Sequence, residues 1–263
     1  MFACATLALL VPAHPSSAQE ATLWPDRGQI ERFLKKAKVT ARKKIGTGVT
    51  HPEKVTLELE GTVREAIFKT IDEKTDNWRN EVAAYELDKL LGIGMVPPTV
   101  ERGVGGRAGS AQLWVTGATM DKYDGGFPDI ERWREQVSAM WLFDDLIDNV
   151  DRHLNNGMVS PDHRLMLIDH SRSFRDGEQL RNGLNAKVNG TNARFWGVEP
   201  ELNGKPFPTR YPRSLIERLR TLTDKEIKDA VGRYVWGWNQ RVLLQRRMRI
   251  LERLDELGPG ALF

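Results

Sequence analysis

The spacing of apolar and polar residues predicts strands in the first half of the chain. Residues 55–59 alternate between apolar and polar side chains, and residues 66–70 are mostly apolar but include Lys69. A period of two is typical of half-buried strands, and Glu60-Gly61 between the two segments is a turn signal. We therefore expect a hairpin with a lysine in an otherwise apolar strand.

Glycine and proline mark the next elements. Residues 80–91 have the periodicity of a helix, which is ended by two glycines. Residues 96–100 contain two prolines and are predicted to be extended. A flexible glycine-rich loop at residues 103–109 is then expected to lead to another strand at residues 111–115.

Helical patterns dominate the second half. Residues 129–147 predict a helix, and Met158-Val159 with residues 165–168 predict a hairpin around a polar turn. Thr223 and Glu226 have the spacing of a capping box, and a long helix with an apolar stripe follows. That stripe comprises Leu243, Leu244, Met248, Ile250, Leu251, Leu254 and Leu257.

The order of these elements predicts an α+β fold with two lobes and a cleft between them. We expect a basic helical lead-in at residues 19–44 and a small strand-rich lobe with one helix at residues 45–122. A mainly helical lobe should occupy residues 123–263. Within it, residues 171–212 are rich in Gly, Asn and Pro and are predicted to be irregular.

The charge and composition of the chain limit the classes of binding partner and the cellular compartment that we expect. The formal net charge of +3 is too small to indicate a nucleic-acid-binding protein. Residues 1–18 contain no Lys, Arg, Asp or Glu and end in small residues, which predicts a signal peptide and a secreted or periplasmic protein. A frayed apolar N-terminus is the alternative. The single cysteine, Cys4, lies in this segment, and no later segment is apolar enough to span a membrane.

Lys69 requires an explanation because a buried ammonium needs an anionic partner. The helix that follows offers Glu81, with Glu86 and Asp88 as competitors. A strand lysine oriented by a helix glutamate is the pair with which protein kinases contact nucleotide phosphates. The alternative is an edge-strand lysine whose ammonium reaches solvent.

Asp151, Asn156 and Asp169 form the most specific chemical pattern. The Asn follows the first Asp by five positions, and an apolar strand then ends at the second Asp. In kinases such an Asp orients the attacking hydroxyl, while the amide and the second carboxylate bind Mg²⁺ or Mn²⁺. The alternative is that these polar residues merely end a helix.

Weaker patterns adjoin this set. Gly46-Thr47-Gly48 precedes a strand and could bring backbone N–H groups to nucleotide phosphates. His153 is a further candidate for contact with the nucleotide, although the simpler prediction is that its hydrogen bonds support the loop. With His170 it also leaves open a transition-metal hydrolase. The C-terminal helix is basic, which usually indicates a solvated face. Arg246, Arg247, Arg249 and Arg253 give it this basic character.

Several of these segments resemble one family of kinases. Asp151-Arg152-His153 is like the Asp-Arg-His of phosphoinositide kinases. Residues 66–69, residues 80–99 and residues 167–174 are similar to the lysine strand, regulatory helix and metal-Asp segments of the secretory-pathway kinases. That family includes the Golgi casein kinase and the glycosaminoglycan xylose kinase. The segments occur in the same order, which makes the resemblance more specific than any one motif.

The resemblance implies a bilobal kinase fold that uses ATP with Mg²⁺ or Mn²⁺. It makes Lys69 a phosphate contact with Glu81 as its partner or as a metal-site group. It also makes Asp151 the catalytic base and Asp169 a metal ligand, while Asn156 follows the general kinase pattern.

The predicted activity is transfer of the γ-phosphoryl group to a hydroxyl of a protein Ser/Thr or of a sugar. Protein and glycan acceptors both stay open, because a fold does not fix the substrate. A lipid acceptor, a pseudokinase that binds nucleotide or a partner without turnover, and adenylyl transfer on the same fold are the alternatives. Asp169-His170-Ser171 stands where ordinary kinases have Asp-Phe-Gly, so their activation-loop switch is not expected.

Overall fold

Antiparallel pairing of short strands builds the first half of the molecule. The structure, a computed structural model, describes residues 23–45, 52–177, 180 and 210–263. The strands of its larger sheet are β1 (Lys38–Lys44), β2 (Glu53–Leu59), β3 (Thr62–Lys69), β4 (Thr99–Val104) and β5 (Arg107–Leu113). Their order is β1-β2-β3-β5-β4, and all neighbours run antiparallel. β3, which carries Lys69, therefore lies inside the sheet.

Two tight turns connect the strands of this sheet. Glu60 and Gly61 have φ values of 51° and 76°, and Gly105 and Gly106 have 58° and 76°. Positive φ at both central positions is typical of two-residue hairpin turns. The turn predicted at Glu60-Gly61 is confirmed. The flexible loop predicted at residues 103–109 is wrong, because all but its two central glycines belong to β4 and β5.

The basic lead-in is a helix followed by a strand rather than a single helix. Helix α1 (Arg27–Lys36) packs Ile30, Phe33 and Leu34 into the core of the sheet. β1 then begins at Lys38, and nearly all of its side chains are exposed. An exposed, lysine-rich edge strand has no apolar alternation, so only its backbone pairing with β2 specifies it.

Helices form most of the second half. They are α2 (Trp78–Leu91), α3 (Ile130–Ile147), α4 (Arg213–Thr221), α5 (Asp224–Val231) and α6 (Gly237–Leu257). A small sheet of β6 (Ala118–Thr119), β7 (Gly157–Val159) and β8 (Leu165–Leu167) contains the predicted hairpin. The predicted capping box at Thr223 and Glu226 begins α5. Short 3₁₀ turns lie at Met120–Lys122, Leu154–Asn156 and Pro259–Ala261.

Two hydrophobic cores correspond to two lobes. The smaller core lies between α1 and the five-stranded sheet and includes Leu57 and Phe68. The larger core joins α2, α3 and the C-terminal helices and includes Leu87, Trp133 and Leu243. The predicted α+β bilobal fold is thus confirmed, while the lobe boundary between residues 122 and 123 stays a prediction.

The prediction of an apolar stripe on α6 is only partly correct. Leu243, Ile250 and Leu254 are buried, but Met248 and Leu257 are 59% and 43% exposed. Arg246 takes an inward position instead and is completely buried. The predicted solvated basic face is therefore wrong for this arginine, because main-chain carbonyl groups inside the helical lobe accept its hydrogen bonds.

Three predictions concern segments that lie mostly or wholly outside the described residues. They are the signal peptide at residues 1–18, the phosphate-contacting Gly46-Thr47-Gly48 and the irregular segment at residues 171–212. In the parts of the chain that the structure covers, no helix combines the length and the apolar character needed to cross a bilayer.

β5 passes very close to β3 beside Lys69. A Cβ atom placed on Gly109 would collide with the carbonyl oxygen of Lys69 and lie 2.9 Å from the ring of Phe68. Both obstacles belong to the sheet itself, so neither can move without shifting the strand that carries the lysine. Glycine is therefore required at this position by close backbone approach.

We expect Gly109→Ala to lower the free energy of unfolding by roughly 1–3 kcal/mol, because the added methyl overpacks the sheet. Gly28→Ala is the matched control, since nothing lies within 4 Å of a Cβ there. It should leave stability unchanged or slightly raised. Urea unfolding measures both, and equal midpoints for the two variants would contradict the predicted close approach.

Candidate active site

Three parts of the chain converge on the ammonium group of Lys69. Its nitrogen lies 2.5 Å from Glu81 Oε1 and 2.8 Å from Asp169 Oδ1. Lys69 ends β3, Glu81 is in the first turn of α2, and Asp169 follows β8. Only 9% of the lysine is exposed, and β3 is an internal strand. The alternative of a solvated edge-strand lysine is therefore wrong.

Charge pairing decides the ionisation of this group. Burial by itself would lower the pKa of Lys69, but the charges of Glu81 and Asp169 outweigh it and raise that pKa above its ordinary value. Burial would raise the pKa of Glu81, but Lys69 and the hydrogen bonds that the carboxylate accepts hold it well below its usual range. Both side chains are thus charged at neutral pH, because each supplies the counter-charge that the other needs.

The partners of each carboxylate on α2 distinguish Glu81 from its competitors. One oxygen of Glu81 accepts from Lys69, and the other accepts a backbone N–H at 3.0 Å. Asp88 instead accepts the backbone N–H groups of residues 94–96. Glu86 pairs with a lysine on its own helix. Among these three acids, only Glu81 contacts Lys69, and both of its oxygens are already bonded to protein groups.

Asp169 has an unusual backbone and a partly open carboxylate. Its φ is 57°, in the left-handed region that Asp tolerates better than most residues. Oδ1 accepts hydrogen bonds from Lys69 and, at 3.1 Å, from the hydroxyl of Ser171. The side chain is nevertheless 35% exposed. A carboxylate anchored in this way can still offer an oxygen to a ligand ion.

Arg152 ties the loop after α3 to the strand that leads to Asp169. Its guanidinium pairs with both oxygens of Asp144 in α3, at 2.8 and 3.1 Å. It also donates to the main-chain oxygens of Asn156 and, at 3.0 Å, of Ile168. The planar fork of arginine suits such simultaneous contacts. One buried cation therefore fixes the spacing between the two acidic segments.

His170 belongs to the same network. Its Nε2 accepts a hydrogen bond from Arg152 at 2.9 Å, because arginine can only donate. Burial lowers the pKa of His170, so the ring is neutral at neutral pH. Within residues 23–45, 52–177, 180 and 210–263, no group of three or more His, Cys, Asp or Glu side chains is placed to hold a metal ion. This finding gives no support to the transition-metal hydrolase.

Asp151 is presented on a loop that its neighbours hold by hydrogen bonds. Its N–H donates to the side-chain oxygen of Asn149 at 3.1 Å, and its carbonyl oxygen accepts from Asn156 Nδ2 at 2.8 Å. Asn149 is in turn bonded to Asp144 at 2.8 Å. The Asp151 carboxylate stays 30% exposed, with the guanidinium of Arg172 at 3.6 Å. The loop is thus rigid while its carboxylate remains accessible.

Asn156 and Asp169 are the residues that could hold a divalent ion. Asn156 Nδ2 is bonded to the Asp151 carbonyl, which leaves its amide oxygen as the free ligand atom. Main-chain pairing of Ile168 with Asn156 at 3.1 Å brings the two residues to the same end of the hairpin. Mg²⁺ usually binds one or two carboxylates and completes its shell with water and phosphate oxygens. This donor set fits such an ion.

The beginning of α2 grips the segment after Asp169. Asn80 Nδ2 donates to the carbonyl oxygens of Ser171 and Ser173 at 2.8 and 2.9 Å. The N–H of Asn77 also donates to Ser171 O, at 3.1 Å. Glu81 is the next residue on this helix, so the same turn that orients Lys69 holds the metal-Asp segment.

Arg246 binds main-chain carbonyl groups next to the site and stabilises the segments that form it. Its guanidinium donates to the carbonyl oxygens of Leu146, at 2.8 Å, and of Gly177, at 2.6 Å, with Arg175 at 3.2 Å. Burial lowers the pKa of Arg246 to about 10, which still leaves it charged at neutral pH. This arginine joins the end of α3 to the residues that directly follow the metal-Asp segment.

The remaining candidates have modest roles in the geometry. His153 Nδ1 accepts the N–H of Asn155 at 3.2 Å and caps the 3₁₀ turn, as expected of a loop-supporting residue. Its nucleotide contact stays a prediction. Sequence reasoning missed Asp144 altogether and assigned Arg246 to a solvated face. The signal was a charged residue inside an apolar run or stripe, the same signal that identified Lys69.

Solved structures with a similar fold include proteins named as kinases. A hydra Fam20 solved with sugar matches with a TM-score of 0.57 and 13% identity, over 90% of this chain and 91% of that chain. A Golgi casein kinase matches with a TM-score of 0.56 and 12% identity, over 88% of this chain and 74% of that chain. This chain has a Fam20-like atypical kinase fold. The Helicobacter pylori proinflammatory kinase CtkA matches with a TM-score of 0.52 and 12% identity, over 87% of this chain and 97% of that chain.

Sequence identity this low shows the fold alone. No protein-family model matches the chain, and no curated protein matches it significantly. The expected resemblance to the secretory-pathway kinases is confirmed at the level of the fold.

We expect Lys69→Met to lower the free energy of unfolding by roughly 3–5 kcal/mol, because it leaves a buried carboxylate unpaired. Adding Glu81→Gln should cost less than the sum of the single changes. Lys54→Met is the control: its pair with Glu65 is partly exposed and should be worth at most about 1 kcal/mol. Urea unfolding of the wild type, the two single variants and the double variant gives the coupling energy of Lys69 and Glu81.

The pH dependence of that loss follows from the two pKa shifts. The lowered pKa of Glu81 gives stability above its unfolded pKa of about 4.3, which is lost as the pH falls through the folded value. The raised pKa of Lys69 gives stability below about 10.4, which is lost as the pH rises through the folded value. The loss in the Lys69→Met/Glu81→Gln double variant, which has neither titrating group, should thus be equal at about pH 5.5 and about pH 8.5. A loss that halves between them would refute the pairing.

Arg246→Met should destabilise the protein by roughly 3 kcal/mol, since it strands main-chain carbonyl groups inside the lobe. Hydrogen exchange should also speed up around residues 170–177. Arg241→Met on the same helix is the control, because Arg241 is exposed against Trp238. If both variants exchange alike, Arg246 does not anchor the segment.

Proposed function

We propose that this protein is an ATP-dependent kinase that transfers the γ-phosphoryl group to a hydroxyl of a protein Ser/Thr or of a sugar. The contact of Lys69 with both Glu81 and Asp169 carries the proposal. Kinase catalysis requires a lysine–glutamate pair and a metal-binding Asp to be in place together. Here a single ammonium group joins them.

In the proposed reaction Lys69 contacts the nucleotide phosphates and Glu81 orients it. Glu81 is given this role rather than metal binding because protein donors occupy both of its oxygens. Asp151 accepts the proton of the acceptor hydroxyl as that oxygen bonds to the γ-phosphorus. The bond from the same phosphorus to the departing oxygen of ADP breaks. Asp151 suits this role because it is held rigidly yet remains accessible.

Asp169 and Asn156 would hold Mg²⁺ or Mn²⁺ on the nucleotide phosphates. The bound ion would neutralise phosphate charge as the phosphoryl group moves. Gly46-Thr47-Gly48 and His153 are kept as proposed nucleotide contacts. We place the activity outside the cytoplasm, secreted or in the periplasm, on the basis of the predicted signal peptide.

The similar structures support both classes of acceptor. One is a Fam20 solved with sugar, and another is named a casein kinase. Each name describes only that protein, so casein and a xylose-containing glycan are both appropriate acceptors for a first test.

Purified protein incubated with Mn²⁺ and γ-labelled ATP should label casein or the glycan, and α-labelled ATP should label neither. Asp151→Asn should reduce transfer at least about 100-fold with nucleotide binding retained, because it removes the group that takes the hydroxyl proton. Asp169→Asn should weaken metal-dependent nucleotide binding, which calorimetry measures directly.

The control is Asp229→Asn, an exposed aspartate that pairs with Lys225 on α5. It should transfer at the wild-type rate. Label from α-ATP would indicate adenylyl transfer instead. Nucleotide binding without transfer to either acceptor would favour the pseudokinase, and full activity of Asp151→Asn would remove the proposed base.

A further inference from the structure

Arg172 lies between Asp76, in the loop before α2, and Asp151, on the loop after α3. It follows Asp169 by three positions and is 38% exposed. Its Nε lies 3.0 Å from Asp76 Oδ1 and its Nη2 lies 3.4 Å from Asp76 Oδ2. On its other side, Nη1 is 3.6 Å from Asp151 Oδ1. The guanidinium therefore spans from the loop before α2 to the proposed catalytic base.

Asp76 holds one side of this guanidinium in place. It is only 6% exposed, and its carbonyl oxygen accepts the N–H of Glu73 at 3.0 Å. The hydroxyl of Ser171 lies 3.3 Å from Asp76 and 3.1 Å from Asp169. Asp76 is thus fixed by its own loop and is linked through one serine to the proposed metal ligand.

The two contacts of Arg172 differ in kind. Contact with both oxygens of Asp76 is the forked geometry that arginine and carboxylate favour. The 3.6 Å separation from Asp151 is longer than a hydrogen bond. The hydrogen bond with Asp76 and the charges of Asp151 and Asp169 together raise the pKa of Arg172. A permanent cation is therefore anchored on one side and only loosely engaged on the side that faces Asp151.

A phosphoryl group in transit must pass between the hydroxyl at Asp151 and the phosphates at Lys69 and Asp169. Negative charge on its equatorial oxygens is best stabilised by cations already in position. Arg172 can exchange its long contact with Asp151 for a phosphate oxygen while it keeps its fork on Asp76.

We propose that Arg172 is a catalytic residue that contacts the transferring phosphoryl group, and that Asp76 is the positioning residue that orients it. This inference rests on the proposed kinase function. Arg172 forms no covalent bond: the acceptor oxygen bonds to phosphorus, ADP leaves, and Asp151 takes the proton. The guanidinium stabilises the charge between these two events.

The test compares Arg172→Gln and Arg172→Lys with Arg79→Gln in the full chain. Arg79 is a suitable control because it is similarly exposed but pairs with Asp72 rather than with Asp76 or Asp151. With casein and γ-labelled ATP, Arg172→Gln should lower kcat at least about 100-fold and raise the KM for ATP by no more than about tenfold. Arg172→Lys should lose less, because it keeps the charge but not the fork.

Two readouts separate this role from a structural one. Calorimetry with Mn²⁺ should show ADP binding unchanged in Arg172→Gln and binding of the β,γ-imido analogue of ATP weakened about tenfold. Guanidinium added to Arg172→Gly should restore part of kcat. Asp76→Asn should lower kcat about tenfold, because it removes one arm of the fork.

The outcomes separate the two proposals. Transfer by the wild type together with an equal kcat for Arg172→Gln would overturn this inference and leave the kinase function intact. Equal loss of ADP and imido-analogue binding, or no rescue by guanidinium, would also overturn it. Absence of transfer by the wild type would overturn both. An unfolded Arg172→Gln would leave the decision to Arg172→Lys, whose wild-type kcat and binding would refute the inference.

Discussion

One ammonium group, held away from water, sets the geometry of the site. Lys69 lies 12 residues from Glu81 and 100 residues from Asp169 in sequence, yet it contacts both. A buried charge that loses its partner is strongly destabilising, so β3, α2 and the segment after β8 must stay together. β5 also passes so close to β3 that a side chain at Gly109 would collide with the backbone of Lys69. The position of the lysine strand is therefore fixed by its neighbour in the sheet as well.

Buried arginines extend this rigidity into the helical lobe. Arg152 binds the main-chain carbonyl group of Ile168, and Arg246 binds those of Arg175 and Gly177, all in irregular segments. Such backbone has no helix or sheet to satisfy it, and an unbonded buried carbonyl is costly. The loop with Asp151 and the segment with Asp169 are therefore shaped by cations that take no part in the proposed reaction. Only the outward edges of the two carboxylates stay accessible.

The sequence predicted the elements whose patterns are local. The hairpin turn at Glu60-Gly61, the helix with Glu81 and the capping box at Thr223 depend on neighbouring residues, and all three are present. The sequence did not predict features that depend on interaction partners far away in the chain. β1 is specified only by its ladder with β2, and the burial of Arg246 depends on carbonyl groups 69 to 100 residues away. Asp76 lies in a polar loop, so nothing in its local sequence indicated that it would meet Arg172.

The grip of Asn80 on the carbonyl groups of Ser171 and Ser173 has a consequence for control. Ordinary protein kinases are switched by moving the glutamate helix and the metal-Asp segment into register. In this chain those two parts are already bonded to one another, and the residue that bonds them adjoins Glu81. An inactive conformer would have to break that clamp and expose a buried ion pair together. Control of the proposed activity would then act on the supply of protein, nucleotide, metal and acceptor rather than on the conformation of the site.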